Sequence, residues 1–211
     1  MCQARPICHT TAPPVGGCFV AGTLVHTKNG LVPIEKVRVG DWLLSQPEMK
    51  GERAYRQVAK TFAIEEQQEV FLLEYFRDHD KTARTLVVTG HHPFWAKNVG
   101  WTAADDLRPG RVLELRDGAE ARVFNVRKIL KTDIPDVGWT HDDGGEVGPT
   151  IDMRDGSIQV EPNSFNSSAF EIDEYLKRAV FNIEVEGFHT YYVGEGGLWV
   201  HDTDCRVKEA P

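Results

Sequence analysis

The 211-residue sequence lacks several features that mark common protein classes. No apolar run approaches the ~20 residues of a membrane-spanning helix, and residues 1–17 lack the apolar middle of a signal peptide. The 24 basic residues are scattered and outnumbered by 32 acidic ones, which gives a net charge of −8. We therefore expect no nucleic-acid partner, which would need a concentrated basic surface, and no membrane partner.

Cysteine is scarce and confined to the two ends of the chain. Cys2, Cys8, Cys18 and Cys205 are the only four, with none between residues 19 and 204. A framework of disulfides would cross-link cysteines in the interior of the chain. This distribution therefore argues against such a framework. Cysteines near both termini suit chemistry at the two ends better.

Short runs rich in Val, Ile, Thr and aromatic residues alternate with Gly, Pro, Asn and Asp, which predicts an all-β fold. Asn29-Gly30 indicates a hairpin turn. Helical turns are expected only at residues 103–107 and 172–177. The predicted strands are residues 23–27, 57–65, 69–76, 84–89, 111–115, 121–130, 179–186 and 198–201.

An internal repeat appears at an offset of 70 residues, because residues 30–43 align without gaps with residues 100–113. The repeat predicts two pseudo-symmetric halves that bring the chain ends toward one centre. Residues 131–170 differ from both halves and are rich in polar turn residues. We expect a small β-rich surface insertion there, with a hairpin at residues 150–160. The aligned pairs include Gly30 with Gly100, Glu35 with Asp105, Arg38 with Arg108, Gly40 with Gly110, and Leu43 with Leu113.

Three segments hold residues suited to catalysis: residues 17–23, residues 89–94, and residues 188–190 together with 200–203. In this order they resemble the blocks of Hint (hedgehog/intein) domains, in particular polymorphic-toxin pretoxin Hint domains and bacterial intein-like domains. The resemblance implies a horseshoe-like fold and a self-cleaving function. It divides the chain into an N-terminal flank (1–17), the Hint domain (18–202) and a C-terminal flank (203–211).

At the N-terminal junction the resemblance makes Cys18 a nucleophile that attacks the carbonyl of Gly17 and forms a thioester. The step is uphill, because a thioester lacks amide resonance, and it needs a proton for the leaving nitrogen. By resemblance His92 supplies that proton and Thr89 holds the linkage. Cys18 as a small core residue is the alternative. His91 is interpreted as a bystander; a metal-binding histidine pair is the alternative, although adjacent histidines point apart.

At the C-terminal junction the resemblance implies that His189 and His201 assist cleavage between Asp202 and Thr203. The family usually has Asn in place of Asp202, and its amide nitrogen closes a succinimide. A carboxylate gives only a higher-energy anhydride, so C-terminal cleavage or splicing should be slow or absent. Thr203, or Cys205 beyond it, is the candidate acyl acceptor. A second departure is Asn182, where many inteins carry Asp, which puts the acid–base help of that Asp in doubt.

The sequence thus predicts a monomeric, single-turnover element that acts in cis on its own flanks. No cofactor is expected, although zinc bound at the site would inhibit the reaction. Two alternatives remain: an inactive Hint-fold spacer, and a zinc-binding module. The location stays open between the bacterial cytoplasm and a secreted multidomain protein. The zinc ligands of that module would come from Cys2, Cys8, His9, Cys18, His189, His201 and Cys205.

Overall fold

A computed structural model describes residues 17–49, 51–80, 82–142, 144–162 and 174–202. Within these residues the regular structure consists of β-strands and two 3₁₀ turns, Ile34–Lys36 and Ala104–Asp106, without any α-helix. This confirms the predicted all-β class. The strands are β1 Phe19–Val20, β2 Leu24–Thr27, β3 Gly30–Pro33, β4 Trp42–Ser45, β5 Ala54–Arg77, β6 Arg84–Thr89, β7 Pro93–Ala96, β8 Gly100–Ala103, β9 Val112–Glu114, β10 Glu120–Lys128, β11 Leu130–Lys131, β12 Val137–His141, β13 Val147–Asp152, β14 Gln159–Glu161, β15 Lys177–Val185, β16 Thr190–Val193 and β17 Leu198–His201.

One 13-stranded sheet holds most of the described chain, and its longest member, β5, runs for 24 residues. Different parts of β5 pair with β4, β6, β10 and β15. The sequence pattern predicted two strands here, at 57–65 and 69–76. The polar residues between them do not end the strand, because β15 pairs with β5 on both sides of a register shift there, with Val180 opposite Ile64 and Lys177 opposite Glu69.

The predicted repeat is present as two copies of one local structure. Residues 30–36 and 100–106 each form a strand followed by a 3₁₀ turn. Gly40 and Gly110 both have positive φ, +91° and +83°, and each donates its amide hydrogen to a strand carbonyl, of Val58 and Val123 respectively. A side chain is strained at such φ values. The alignment therefore identified a local structure that occurs twice in the chain.

A second, four-stranded sheet is formed by β11 to β14. It contains the predicted hairpin, since β13 pairs with β14 in the register Ile151 opposite Val160. The helical turn predicted at residues 172–177 is wrong for its described part. Tyr175 forms a β-bridge with Leu130 and the neighbouring Leu176 is buried, so pairing with a distant strand overrides the helical pattern. Ile172 lies outside the described residues.

Strand β1 is short, but it is buried and has a partner strand on each side. Phe19 is paired with Phe181 of β15 on one side and with Val88 of β6 on the other. Its ring belongs to the main hydrophobic cluster, whereas Cys18 and Val20 belong to a second one. The first described residues are therefore held firmly inside the sheet. No helix in the described part of the chain is long and apolar enough to cross a membrane.

Candidate active site

The bond between Gly17 and Cys18 is buried where β1 enters the sheet. Both residues are buried, with Cys18 only 3% exposed. A Cβ atom at position 17 would overlap the main chain of His92. Only glycine fits here, because any side chain would displace the backbone that carries His92.

Thr89, at the end of β6, holds the nitrogen side of this bond. The amide hydrogen of Cys18 is donated to Thr89 Oγ1 over 2.8 Å. The Thr89 hydroxyl and amide in turn donate to the Cys18 carbonyl, at 3.2 and 3.0 Å. Thr89 therefore holds both the amide nitrogen of the Gly17–Cys18 bond and the carbonyl oxygen of Cys18.

Asn182, in β15, holds the carbonyl side of the same bond. Its Nδ2 donates a hydrogen bond to the Gly17 carbonyl oxygen over 3.0 Å. Its Oδ1 accepts hydrogen bonds from the Tyr191 hydroxyl and the Ile183 amide, at 2.6 and 2.8 Å. Sequence reasoning noted Asn182 only as a departure from inteins. The alternation of residues in the sequence indicates that Asn182 points inward, but it does not indicate the contact with Gly17.

His92 lies beside the bond, and its side chain has no exposed surface. Its ring lies 4.1 Å from the Phe19 ring and 5.7 Å from the Phe94 ring, measured between centroids. Neither ring nitrogen has a hydrogen-bond partner among the described residues. Burial lowers the pKa of His92 to about 3; the nearby Gly17 carbonyl partly offsets this effect and the charge of His201 adds to it.

His91 points away from this centre, as expected for the neighbour of a buried strand-end residue. Its side chain is 72% exposed, and its Nδ1 lies 3.6 Å from a carboxylate oxygen of Asp105. The two adjacent histidines therefore do not face a common point.

The buried, neutral His92 makes the fold sensitive to acid. Its folded pKa lies below 6.5, so the unfolded chain binds more protons below that pH, and the free energy of unfolding falls as pH drops. Between pH 7 and pH 5 this amounts to about 2 kcal/mol. We expect urea titrations to show that the free energy of unfolding falls between pH 7 and pH 5 in both chains. The fall should be larger by this amount in the parent chain than in His92→Gln. Equal losses of stability in the two chains would contradict the conclusion that His92 is buried in its neutral form.

Cys18 is disulfide-bonded in the structure. It is the only cysteine among the described residues. The cysteine distribution argued against a disulfide framework and did not anticipate this bond. A sulfur in a disulfide is not a thiolate, so reduction must precede any nucleophilic role of Cys18.

The C-terminal residues form a second buried cluster. Asp202 Oδ2 accepts a hydrogen bond from the Val185 amide over 2.7 Å and lies 3.4 Å from His189 Nδ1. His201 Nδ1 lies 3.6 Å from Asp202 Oδ1, and its Nε2 lies 3.1 Å from a carboxylate oxygen of Glu48. Glu48, in the segment after β4, was missed, because no local pattern links it to His201.

Burial sets the charges in this cluster. It raises the pKa of Asp202 to about 6, although the Val185 amide and His189 partly counter the effect. It lowers the pKa of His201, an effect that Glu48 opposes. The two clusters lie on neighbouring strands, since Val200, next to His201, pairs with Phe94, two residues after His92.

Thr203 and Cys205, the predicted acyl acceptors, lie outside the described residues. So do Cys2, Cys8 and His9 of the zinc alternative. Among the residues that the structure describes, no group of three or more His, Cys, Asp or Glu side chains is arranged to hold a metal ion.

Comparison with known proteins identifies the family. Residues 24–137, more than half of the chain, match the family model described as Pretoxin HINT domain. The chain belongs to this family. A search of curated protein sequences found no match to this pretoxin HINT domain.

Solved structures agree with this assignment. The solution structure of a bacterial intein-like domain from Clostridium thermocellum is 25% identical, with a TM-score of 0.57, over 87% of this chain and 97% of that one. The gp41-1 intein is 16% identical, with a TM-score of 0.53, over 88% and 98%. A DnaB intein from Synechocystis sp. PCC 6803 is 14% identical, with a TM-score of 0.54, over 90% and 100%. The last two show the shared fold alone.

Proposed function

We propose that this pretoxin HINT domain cleaves its own chain between Gly17 and Cys18 through a thioester on Cys18. The observation that carries the proposal is the hydrogen bonding on both sides of one buried peptide bond. Thr89 binds its nitrogen, Asn182 binds its carbonyl oxygen, and a buried histidine packs against Gly17. A structural role alone does not require polar groups to converge on a single backbone linkage.

The reaction begins once the disulfide of Cys18 is reduced. Neutral His92 takes the proton of the thiol, and the thiolate attacks the carbonyl carbon of Gly17. The carbonyl oxygen becomes an oxyanion as the new carbon–sulfur bond forms. The carbon–nitrogen bond then breaks, which leaves a thioester between Gly17 and Cys18 Sγ and a free amino group on Cys18.

The lowered pKa of His92 favours the second proton transfer and disfavours the first. At neutral pH the ring is uncharged, so a ring nitrogen has a free lone pair for the thiol proton, but it is a weaker base than an ordinary imidazole. Once protonated, it is a stronger acid than an ordinary imidazolium. It therefore readily gives its proton to the leaving amine, for which an α-amino pKa of roughly 8 is typical. Thr89 keeps that nitrogen in place during the transfer.

At the other end we propose that C-terminal cleavage or splicing at Asp202–Thr203 is slow or absent. The Asp202 side chain is held by the Val185 amide and lies between two histidines. It carries no amide nitrogen, so it cannot close a succinimide. The flanks, residues 1–17 and 203–211, are the polypeptides on which the domain acts.

The test is chemical capture of the thioester. We expect the purified chain to stay intact when oxidised and to hydrolyse slowly after reduction with a trialkylphosphine, which is not a thiol. Reduction followed by hydroxylamine at neutral pH should release residues 1–17 as a C-terminal hydroxamate. Mass spectrometry identifies this product and separates it from any cleavage at Asn29-Gly30.

The hydroxamate is informative because it forms from an acyl donor and not from a relaxed amide. A chain that remains whole after reduction and prolonged exposure to hydroxylamine contradicts the proposed function. Release of the fragment without reduction would contradict the requirement for a free Cys18 thiol.

A further inference from the structure

We infer that the side-chain amide of Asn182 is a catalytic group that stabilises the oxyanion formed on Gly17. The inference rests on the proposed function. Asn182 Nδ2 already donates to the Gly17 carbonyl oxygen at 3.0 Å, from a position 165 residues away in sequence. That oxygen gains negative charge when the sulfur attacks. A donor that is in place beforehand stabilises the charged oxygen more strongly than the neutral carbonyl.

The orientation of the Asn182 amide is fixed by its neighbours. Oδ1 accepts hydrogen bonds from the Tyr191 hydroxyl and the Ile183 amide, which are both donors toward it. Nδ2 must therefore be the end that faces Gly17. Burial raises the pKa of Tyr191 well above 10, so the hydroxyl keeps its proton and remains a donor. Tyr191 is thus a positioning residue.

The surroundings strengthen this contact. Asn182 is 1% exposed and Tyr191 has no exposed surface, so water does not compete for the amide. Hydrogen bonds to a developing charge are stronger in such a low-dielectric site. An uncharged amide also needs no change of protonation state, unlike an acid that must first bind a proton. The Asn at this position thereby supplies a donor to the reacting carbonyl.

The first measurement is the rate of hydroxamate formation by the reduced chain. We expect Asn182→Ala to slow release of residues 1–17 about 100-fold, the typical cost of losing one oxyanion donor. Asn182→Leu keeps the number and branching of the side-chain heavy atoms without the donor and should be slowed equally. Thr23→Val is the matched control, because its buried hydroxyl has no hydrogen-bond partner in the described part of the chain. Circular dichroism checks that each variant folds.

The second measurement detects the hydrogen bond between Asn182 and the Gly17 carbonyl in the absence of any reaction. Gly17-Cys18 is the single Gly-Cys pair in the sequence, so labelling with ¹³C-carbonyl glycine and ¹⁵N cysteine gives one peak in an HNCO spectrum. The oxidised chain is used, in which Cys18 is held in its disulfide. Loss of the hydrogen bond should move the Gly17 carbonyl resonance upfield in both Asn182 variants. Tyr191→Phe should give a smaller shift and a smaller loss of rate, while Thr23→Val changes neither.

The outcomes separate the two proposals. A parent chain that cleaves, together with Asn182 variants that cleave equally fast, overturns the role of Asn182 and leaves the thioester mechanism intact. A reduced parent chain that never reacts overturns both. An upfield shift accompanied by a rate loss near 100-fold supports the assignment, because a merely structural residue need not affect both measurements in parallel.

Discussion

Cys18→Ala is expected to abolish hydroxylamine-dependent release of residues 1–17, with no product detectable after days. Alanine has no nucleophilic atom, and the surrounding donors cannot cleave an amide by themselves. Cys18→Ser should retain slow release, because its hydroxyl forms an oxygen ester but is a poorer nucleophile than a thiolate. Mass spectrometry of the reduced chains gives all three rates. A release rate that falls from Cys18 to Cys18→Ser to Cys18→Ala would show that the nucleophilicity of the side chain at position 18 matters.

The matched control is Cys8→Ala, which removes another N-terminal cysteine and leaves Cys18 in place. After reduction it should cleave at the parent rate, so that loss of a disulfide is not mistaken for loss of the nucleophile. Release from Cys18→Ala at the parent rate would refute the mechanism, since it would require a different nucleophile.

Asp202→Asn is expected to switch on C-terminal cleavage. If the new Oδ1 keeps the hydrogen bond from the Val185 amide, Nδ2 takes the place of the oxygen that now lies 3.6 Å from His201 Nδ1. Nδ2 can attack the carbonyl carbon of residue 202, close a succinimide and release residues 203–211. We expect an increase of roughly 100-fold or more, equivalent to lowering the barrier by about 2.7 kcal/mol. Mass spectrometry detects the released peptide and the cyclised C-terminus.

The experiment is best done in the Cys18→Ala background, where no N-terminal cleavage competes. Asp152→Asn, a change at a half-buried position in β13 of the second sheet, is the control and should release nothing. Within the Asp202→Asn chain, Glu48→Gln should slow the release if Glu48 holds His201 in place. If the succinimide never forms, Asp202 is not what limits this junction, and the inactive-spacer interpretation gains support.

Most of the fold could be predicted from local pattern. Strands β2, β6 and β17 lie within a residue of their predicted positions, because alternating side chains and turn residues are local properties. The sequence of residues 30–43 resembles that of residues 100–113. The two segments also share a 3₁₀ turn and a glycine with positive φ. The continuous course of β5 could not be predicted, since it depends on its distant partner β15.

Only part of the candidate site could be predicted from the sequence. The sequence by itself determined which residues have suitable chemistry, namely Cys18, Thr89, His92, His201 and Asp202, because motif spacing and side-chain type are written in it. Only the tertiary structure decided that Asn182 donates to Gly17 and that Glu48 lies against His201. Folding also lowers the pKa of His92, mainly through burial and further through the charge of His201. The physical reason is that hydrogen bonds and desolvation depend on which distant strands meet, and a contact across 165 residues leaves no local trace in the sequence.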